Sequence, residues 1–182
     1  MNSPDSHLTE TRLSGREVFR GKLLEVKQDT VRLPDGGEAL REYIVHPGAV
    51  MIIPVLPDGA LLLERQYRYP LARVLVEFPA GKLDPGEDPL TAAARELLEE
   101  TGYRAGRWRH LLNMNPVVSY SNEQIGIYLA EDLERVAEAT PDHGEFLETL
   151  IVSRREALAW MRAGRITDAK TQLGLLLLEQ GW

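Results

Sequence analysis

Apolar positions along this chain gather into short runs broken by turn residues, with one long helical pattern near the middle. Residues 1–15, MNSPDSHLTETRLSG, carry few apolar side chains and read as a flexible arm. Residues 18–45 then read as short strands, with partial alternation in LLEVKQDTVRL, a turn at PDGG and a second run, ALREYIV. This stretch holds too few large apolar groups for a core of its own, and Pro47-Gly48 marks its boundary. AVMIIPVLPDGALLLERQYR, residues 49–68, predicts a buried hairpin turning at Pro-Asp-Gly. A short strand at 74–78 precedes a loop marked by Gly81, Pro85 and Gly86.

The strongest helix signal covers residues 88–102. Asp88 suits the N-cap, Pro89 the first helical position and Gly102 the stop. Leu90, Ala94, Leu97, Leu98 and Thr101 fall at helical spacing and predict its buried stripe. Strands follow near 108–113, 123–130 and 148–152. Ser153 with Glu156 opens a helix to about Gly164, and a last apolar helix covers about 168–180.

Composition narrows the chemistry. The chain of 182 residues has no cysteine, which removes disulfides, thiolate nucleophiles and Cys-type zinc sites. Its four histidines are scattered without an HExxH-like pair. A net charge of −7 argues against nucleic-acid and anionic-membrane partners, which need a cationic face. No apolar run reaches the roughly 20 residues of a membrane span, and the polar start lacks a secretory signal, so a cytoplasmic protein is expected.

The charge is unevenly spread. Residues 77–103 hold seven acids and two bases, a local net of −5 that leaves only −2 for the rest. Within the helix, Glu96, Glu99 and Glu100 stand at i, i+3 and i+4, so their carboxylates share a surface. Glu99 and Glu100 also sit in the last turn, where the helix dipole disfavours acids by about 0.3–1 kcal/mol each. Clustered carboxylates without Cys or His nearby are the donor set of a hard cation such as Mg²⁺ or Mn²⁺. Such ions bridge to phosphates, and the chemistry they support is attack of water on phosphorus.

Gly81, Glu87, Arg95-Glu96-Leu97, Glu99-Glu100, Gly102 and Tyr103 match, over 23 positions, the pattern G-x5-E-x7-R-E-U-x-E-E-x-G-U, U being a bulky apolar residue. Tyr103 alone fits loosely. The chain therefore resembles the Nudix hydrolases, and the likeness extends over about residues 48–171. The resemblance implies an α/β (α+β) Nudix fold, a mixed sheet between helices, here with an N-terminal antiparallel β segment. It implies metal at Glu96 and Glu100, with Glu99 and the Ala80 carbonyl, and Arg95 orienting the glutamates together with Glu87.

Three features resemble the ADP-ribose pyrophosphatase branch: VEFPAGKLDPGE before the box, Pro116 thirteen residues past it, and DHGEFLE with the later DAKT. In that late loop the resemblance places a further metal-linked or catalytic carboxylate at Glu145, while His143 departs from the acid that several relatives carry. Arg68 matches an arginine used on the diphosphate or terminal ribose, and Glu42 a base-contacting glutamate. Glu77 serves either as an acceptor for a substrate hydroxyl or amine, or as a structural ion-pair partner. Tyr43, Tyr67, Tyr69 and Tyr120 are candidates for stacking on the base or for ordinary rim packing. The same resemblance implies that the N-terminal segment, residues 16–47, serves a homodimer, the alternative being packing on the chain's own core, ahead of a hydrolase domain over residues 48–182.

The resulting expectation is Mg²⁺-dependent hydrolysis of ADP-ribose to AMP and ribose 5-phosphate. Other nucleoside diphosphate sugars, GDP-mannose among them, are the alternative within the class. A non-catalytic nucleotide sensor on the same fold is the alternative outside it, although such modules tend to lose the glutamates kept here.

Overall fold

A computed structural model of the chain describes residues 4–141 and 144–182. Its backbone divides into two compact units: residues up to His46 together with Val117–Glu123, and Pro47–Pro116 together with Gln124–Trp182.

The first unit is an antiparallel sheet of β1 (Thr11–Arg20), β2 (Glu25–Arg32) and β3 (Glu38–Val45), in that spatial order. The arm expected over residues 1–15 is thus shorter, because Thr11 to Gly15 pair with Arg32 to Asp29. Backbone pairing supplies the order that an apolar count cannot register. β2 and β3 are joined by the expected turn, where Gly36 takes φ 89° and Leu33 exchanges hydrogen bonds with Gly36 and Gly37. Segment 117–123 returns to this unit, with the Ile44 N–H donating to the Tyr120 carbonyl at 2.8 Å and the His46 N–H to Asn122 Oδ1 at 2.7 Å. Within the sheet, Asp29 is buried beneath the Arg12 guanidinium (2.8 Å) and the Tyr43 hydroxyl (3.1 Å). Every residue of β1 is exposed.

The second unit has two sheets. β4 (Ala49–Pro54), β7 (Ala80–Lys82), β8 (Tyr103–Met114) and β9 (Ile125–Arg135) form one, ordered β7-β4-β9-β8, with β4 and β9 parallel. β5 (Leu61–Arg68), β6 (Arg73–Glu77) and β10 (Leu147–Val152) form the other, ordered β10-β5-β6 and antiparallel. The hairpin expected over residues 49–68 is corrected here. Its turn closes, with Leu56 donating to the Ala60 carbonyl, but pairing stops at a single bridge between Val55 and Leu61. β4 and β5 then diverge into different sheets, because both runs are apolar on both faces and each needs cover on both sides.

That double burial is visible residue by residue. On β4, Val50 and Ile52 pack with Ala92, Ala93 and Leu97 of α1 (Pro89–Thr101). Met51 and Ile53 pack on the other side with Phe78, Ile127 and Leu175, the last from α3 (Ala169–Glu179). On β5, Leu62 faces the α1 cluster, while Leu61 and Leu63 face the α3 cluster. α2 (Arg154–Arg162) is capped by Ser153 and α3 by Asp168, whose carboxylate accepts from the Thr171 N–H at 2.9 Å. Thr171 Oγ1 in turn accepts from the Phe78 N–H, tying α3 to the strand end that leads into the acidic loop. Among the described residues no helix is long and apolar enough to cross a membrane.

Candidate active site

The acidic helix is set by its ends. Asp88 accepts from the Thr91 N–H at 3.0 Å, Pro89 occupies the first turn, and Gly102 closes the last turn at φ 75° with its N–H on the Leu98 carbonyl. An Asn or Asp cap of this kind contributes about 1 kcal/mol. The buried face differs from the predicted stripe. Ala92, Ala93, Leu97, Glu100 and Thr101 point inward, whereas Leu90 and Ala94 are exposed. The two small alanines fit against the sheet, and the rotation that seats them carries Glu100 inside.

Arg95 organises the other acids. Its Nε and Nη2 donate to the two oxygens of Glu87, both at 2.9 Å, and Nη1 donates to Glu96 at 2.9 Å and Glu99 at 3.1 Å. Nη2 also reaches the Lys82 carbonyl at 3.2 Å. Hydrogen bonds from Arg95, with one from the Asp84 N–H, hold the Glu87 carboxyl down at about 2. Bidentate pairing of this type is the strong form of the interaction. Among the described residues no three acids or histidines are already drawn together as a cation cage. Glu87, Glu96 and Glu99 gather instead around the guanidinium.

Glu100 stands apart from that network. It is 4% exposed, and its described hydrogen bond is the Ala80 N–H at 3.2 Å. Burial raises its pKa strongly, and the charges of Glu64, Glu96 and Glu145 add to the rise. Burial likewise raises Glu96, against the pull of Arg95. The Glu96 carboxylate lies on the backbone of Gly81, so closely that a Cβ on Gly81 would overlap it. The glycine therefore forms a cradle for a carboxylate. Carboxylate oxygens grouped on one helix, with Glu100 buried away from the guanidinium, are the donor chemistry of Mg²⁺ or Mn²⁺.

The remaining expected residues fall in three places. Glu145 lies in the exposed loop before β10, and its charge acts on Glu64, Glu96 and Glu100. His143 lies outside the described residues, as does Asp142. Arg68 and Glu77 are joined to each other, through bonds of 2.7 and 2.9 Å, and Lys170 also binds Glu77. Burial opposes the Glu77 charge, but Arg68 and Lys170 outweigh it and leave its pKa below the ordinary value. Of the two roles open to Glu77, the structure thus displays the ion pair, and Arg68 keeps one face toward solvent.

Glu42 sits on β3 of the N-terminal unit and accepts from Gln28 at 2.8 Å. Tyr43 is committed to Asp29, while Tyr67, Tyr69 and Tyr120 are exposed.

One buried acid of this site, Glu64, has no counterpart in the sequence reading. It is 1% exposed and follows three leucines on β5, so it reads as the polar end of an apolar strand. Its only sequence signal is period: it shares the parity of Leu62.

Comparison with known proteins shows what the chain is similar to. A NUDIX domain model matches residues 45–172, and a model of the nucleoside diphosphate sugar hydrolase N-terminal domain matches residues 10–44. An ADP-ribose pyrophosphatase from Bacillus subtilis is 35% identical over 173 residues, covering 94% of each chain. A methanol dehydrogenase activator from Bacillus methanolicus is 35% identical over 93% of this chain and 92% of its own. A crystal structure of an ADP compounds hydrolase superposes with a TM-score of 0.84 at 27% identity, covering 95% of this chain and 94% of that one.

Proposed function

Since the chain belongs to the Nudix family, and pairs that domain with the N-terminal domain of nucleoside diphosphate sugar hydrolases, we propose that it hydrolyses ADP-ribose to AMP and ribose 5-phosphate. The observation that carries the reading is Glu100, an acid buried on the helix with a backbone N–H and three other carboxylates for company. Such a residue is placed against stability and answers to a cation that balances it. Names of relatives, ADP-ribose pyrophosphatase above all, support the choice of substrate.

Glu96 and Glu100 would hold Mg²⁺ or Mn²⁺, with Glu99, Glu145 and the Ala80 carbonyl as further oxygen donors. A divalent cation supplies Lewis acidity at the diphosphate and lowers the pKa of water. The chain's own residues do the positioning. Arg95, fixed by Glu87, sets the orientation of Glu96 and Glu99. Arg68 presents a guanidinium edge for a phosphate or ribose oxygen, with Glu77 and Lys170 keeping it in place. A carboxylate among Glu99, Glu100 and Glu145 accepts the proton of the attacking water. The new P–O bond forms to that water, the bridging P–O bond breaks, and AMP and ribose 5-phosphate separate.

Glu42 is assigned to the adenine by the same reading. A homodimer formed through the N-terminal sheet belongs to it too, supported by the exposed apolar side chains of that sheet. So does a cytoplasmic setting.

The test is a substrate panel with Mg²⁺: ADP-ribose, GDP-mannose, ADP-glucose, NADH and diadenosine polyphosphates, with products separated by chromatography. ADP-ribose is expected to be turned over fastest, and Glu100→Gln to lower that turnover by several orders of magnitude while the protein stays folded. Faster turnover of GDP-mannose would overturn the substrate assignment. Ligand left intact by the wild type would mark a sensor.

A further inference from the structure

Glu64 lies outside the fixed-spacing motif that ends on the acidic helix, and three observations set it apart. The first is direction. Side chains alternate along β5, and Leu62 packs against Ala92, Ala93 and Leu97 of α1, so Glu64 projects from the same face. On α1, Glu100 is the next inward residue, three positions after Leu97.

The second is that the cations near it are bonded to other acids. Glu64 is 1% exposed, and its Oε2 is buried with no hydrogen-bond partner among the described residues. In the sheet register it stands directly opposite Glu77, a like charge on the same face. The two cations near it, Arg68 and Lys170, are already bonded to Glu77, and Lys170 also to Asp168. A buried carboxylate in this position is costly, and glutamine or leucine of similar size would remove the cost.

The third is its neighbour. The Glu64 carboxylate lies within electrostatic reach of Glu100, the inward acid of α1. Glu77 and Glu145 bear on Glu64 as like charges, while Arg68 and Lys170 act on it in the opposite sense. Two buried carboxylates thus come from different elements, Glu100 from the helix and Glu64 from β5.

We propose that Glu64 is an oxygen donor to the divalent cation held at Glu100, supplying a ligand from the sheet that complements those from the helix. Unlike the helix acids, it comes from the buried part of β5, the strand that also carries Arg68, and would tie the cation site to the Arg68–Glu77 pair. This rests on the reading that the site binds a divalent cation.

The test measures Mn²⁺ binding to the full chain by the electron paramagnetic resonance of free Mn²⁺. The proteins are wild type, Glu100→Gln, Glu64→Gln and Glu64→Met. Glu64→Gln is expected to weaken Mn²⁺ binding by about tenfold or more, in the range found when groups supporting a metal are lost. It is also expected to raise the melting temperature of the metal-free protein. Glu64→Met, which fits an apolar wall, provides the same comparison if the amide is poorly accommodated. Wild-type Mn²⁺ affinity and stoichiometry in a folded Glu64 variant, whatever its turnover, would overturn the assignment. Failure of the wild type itself to bind Mn²⁺ would overturn the cation reading as a whole. Loss of Mn²⁺ in Glu100→Gln but not in Glu64→Gln isolates the failure to Glu64.

Discussion

At the scale of single residues, the site depends on contacts that a substitution scale would miss. Gly81 has no positive φ, so its lack of a side chain is not about backbone freedom. What it provides is room, since the Glu96 carboxylate rests where a Cβ would be. Gly81→Ala therefore moves the flexible end of Glu96 rather than the backbone. We expect a folded protein with stability changed by no more than about 1 kcal/mol. Turnover is expected to fall at least about tenfold, as for displaced metal-supporting groups, with a higher Mg²⁺ requirement. Circular dichroism and a Mg²⁺ titration of activity check this, and wild-type activity in the variant would show that Glu96 can be displaced without loss. The helix acids were legible in the sequence because their spacing is fixed and locally costly. Glu64 was not, because LLLE ends like any buried strand, and only the partner across the sheet shows that its charge has nowhere to go.

At the scale of elements, caps and turns were easier to read than faces and pairings. Asp88, Pro89 and Gly102 bound α1 as expected, since capping is local chemistry. Its buried stripe keeps Leu97 and Thr101 but turns from Leu90 and Ala94 to Ala92 and Ala93, because small side chains let the helix approach the sheet. The 49–68 hairpin failed for a related reason: turn residues fix the reversal but not which sheet each arm joins. β1 shows the reverse case, a strand ordered by pairing with few apolar groups to announce it. Being an edge strand of ten exposed residues, it is also a template for another chain. Phe19 and Val18 on β1 and Leu40 on β3 are half or more exposed. For the proposed homodimer, light scattering should give about twice the 20.5 kDa chain mass. Phe19→Asp should weaken dimerisation by at least about tenfold if this sheet carries a central apolar anchor. A wild type that runs as a monomer at micromolar concentration, or a variant with undiminished dimerisation, would remove this sheet as the interface.

At the scale of the whole molecule, the net charge of −7 becomes a statement about stability. The concentration of acids in residues 77–103 was visible from the sequence, but which of them are buried was not. Burial raises Glu64, Glu96 and Glu100 above their unfolded value of 4.5. Groups so shifted leave the folded state with more protons than the unfolded one between the two values, so stability falls as pH rises through that window. Glu87 works in the opposite sense. Arg95 holds it at about 2, and the stability this gives is present above 4.5 and lost on acidification. With metal removed, the two trends cross in mildly acidic solution, and the melting temperature should decline from about pH 5 to about pH 8. A divalent cation binds the ionised folded form and not the unfolded chain, so excess Mg²⁺ should flatten the decline by mass action. Glu100→Gln should lessen the decline without metal, because one of the three groups that resist ionisation is gone. Melting curves across this range in EDTA and in Mg²⁺ distinguish these outcomes. A metal-free wild type that gains stability toward pH 8 would mean that solvent already relieves the buried acids, and that the site does not hold its charge in reserve for a cation.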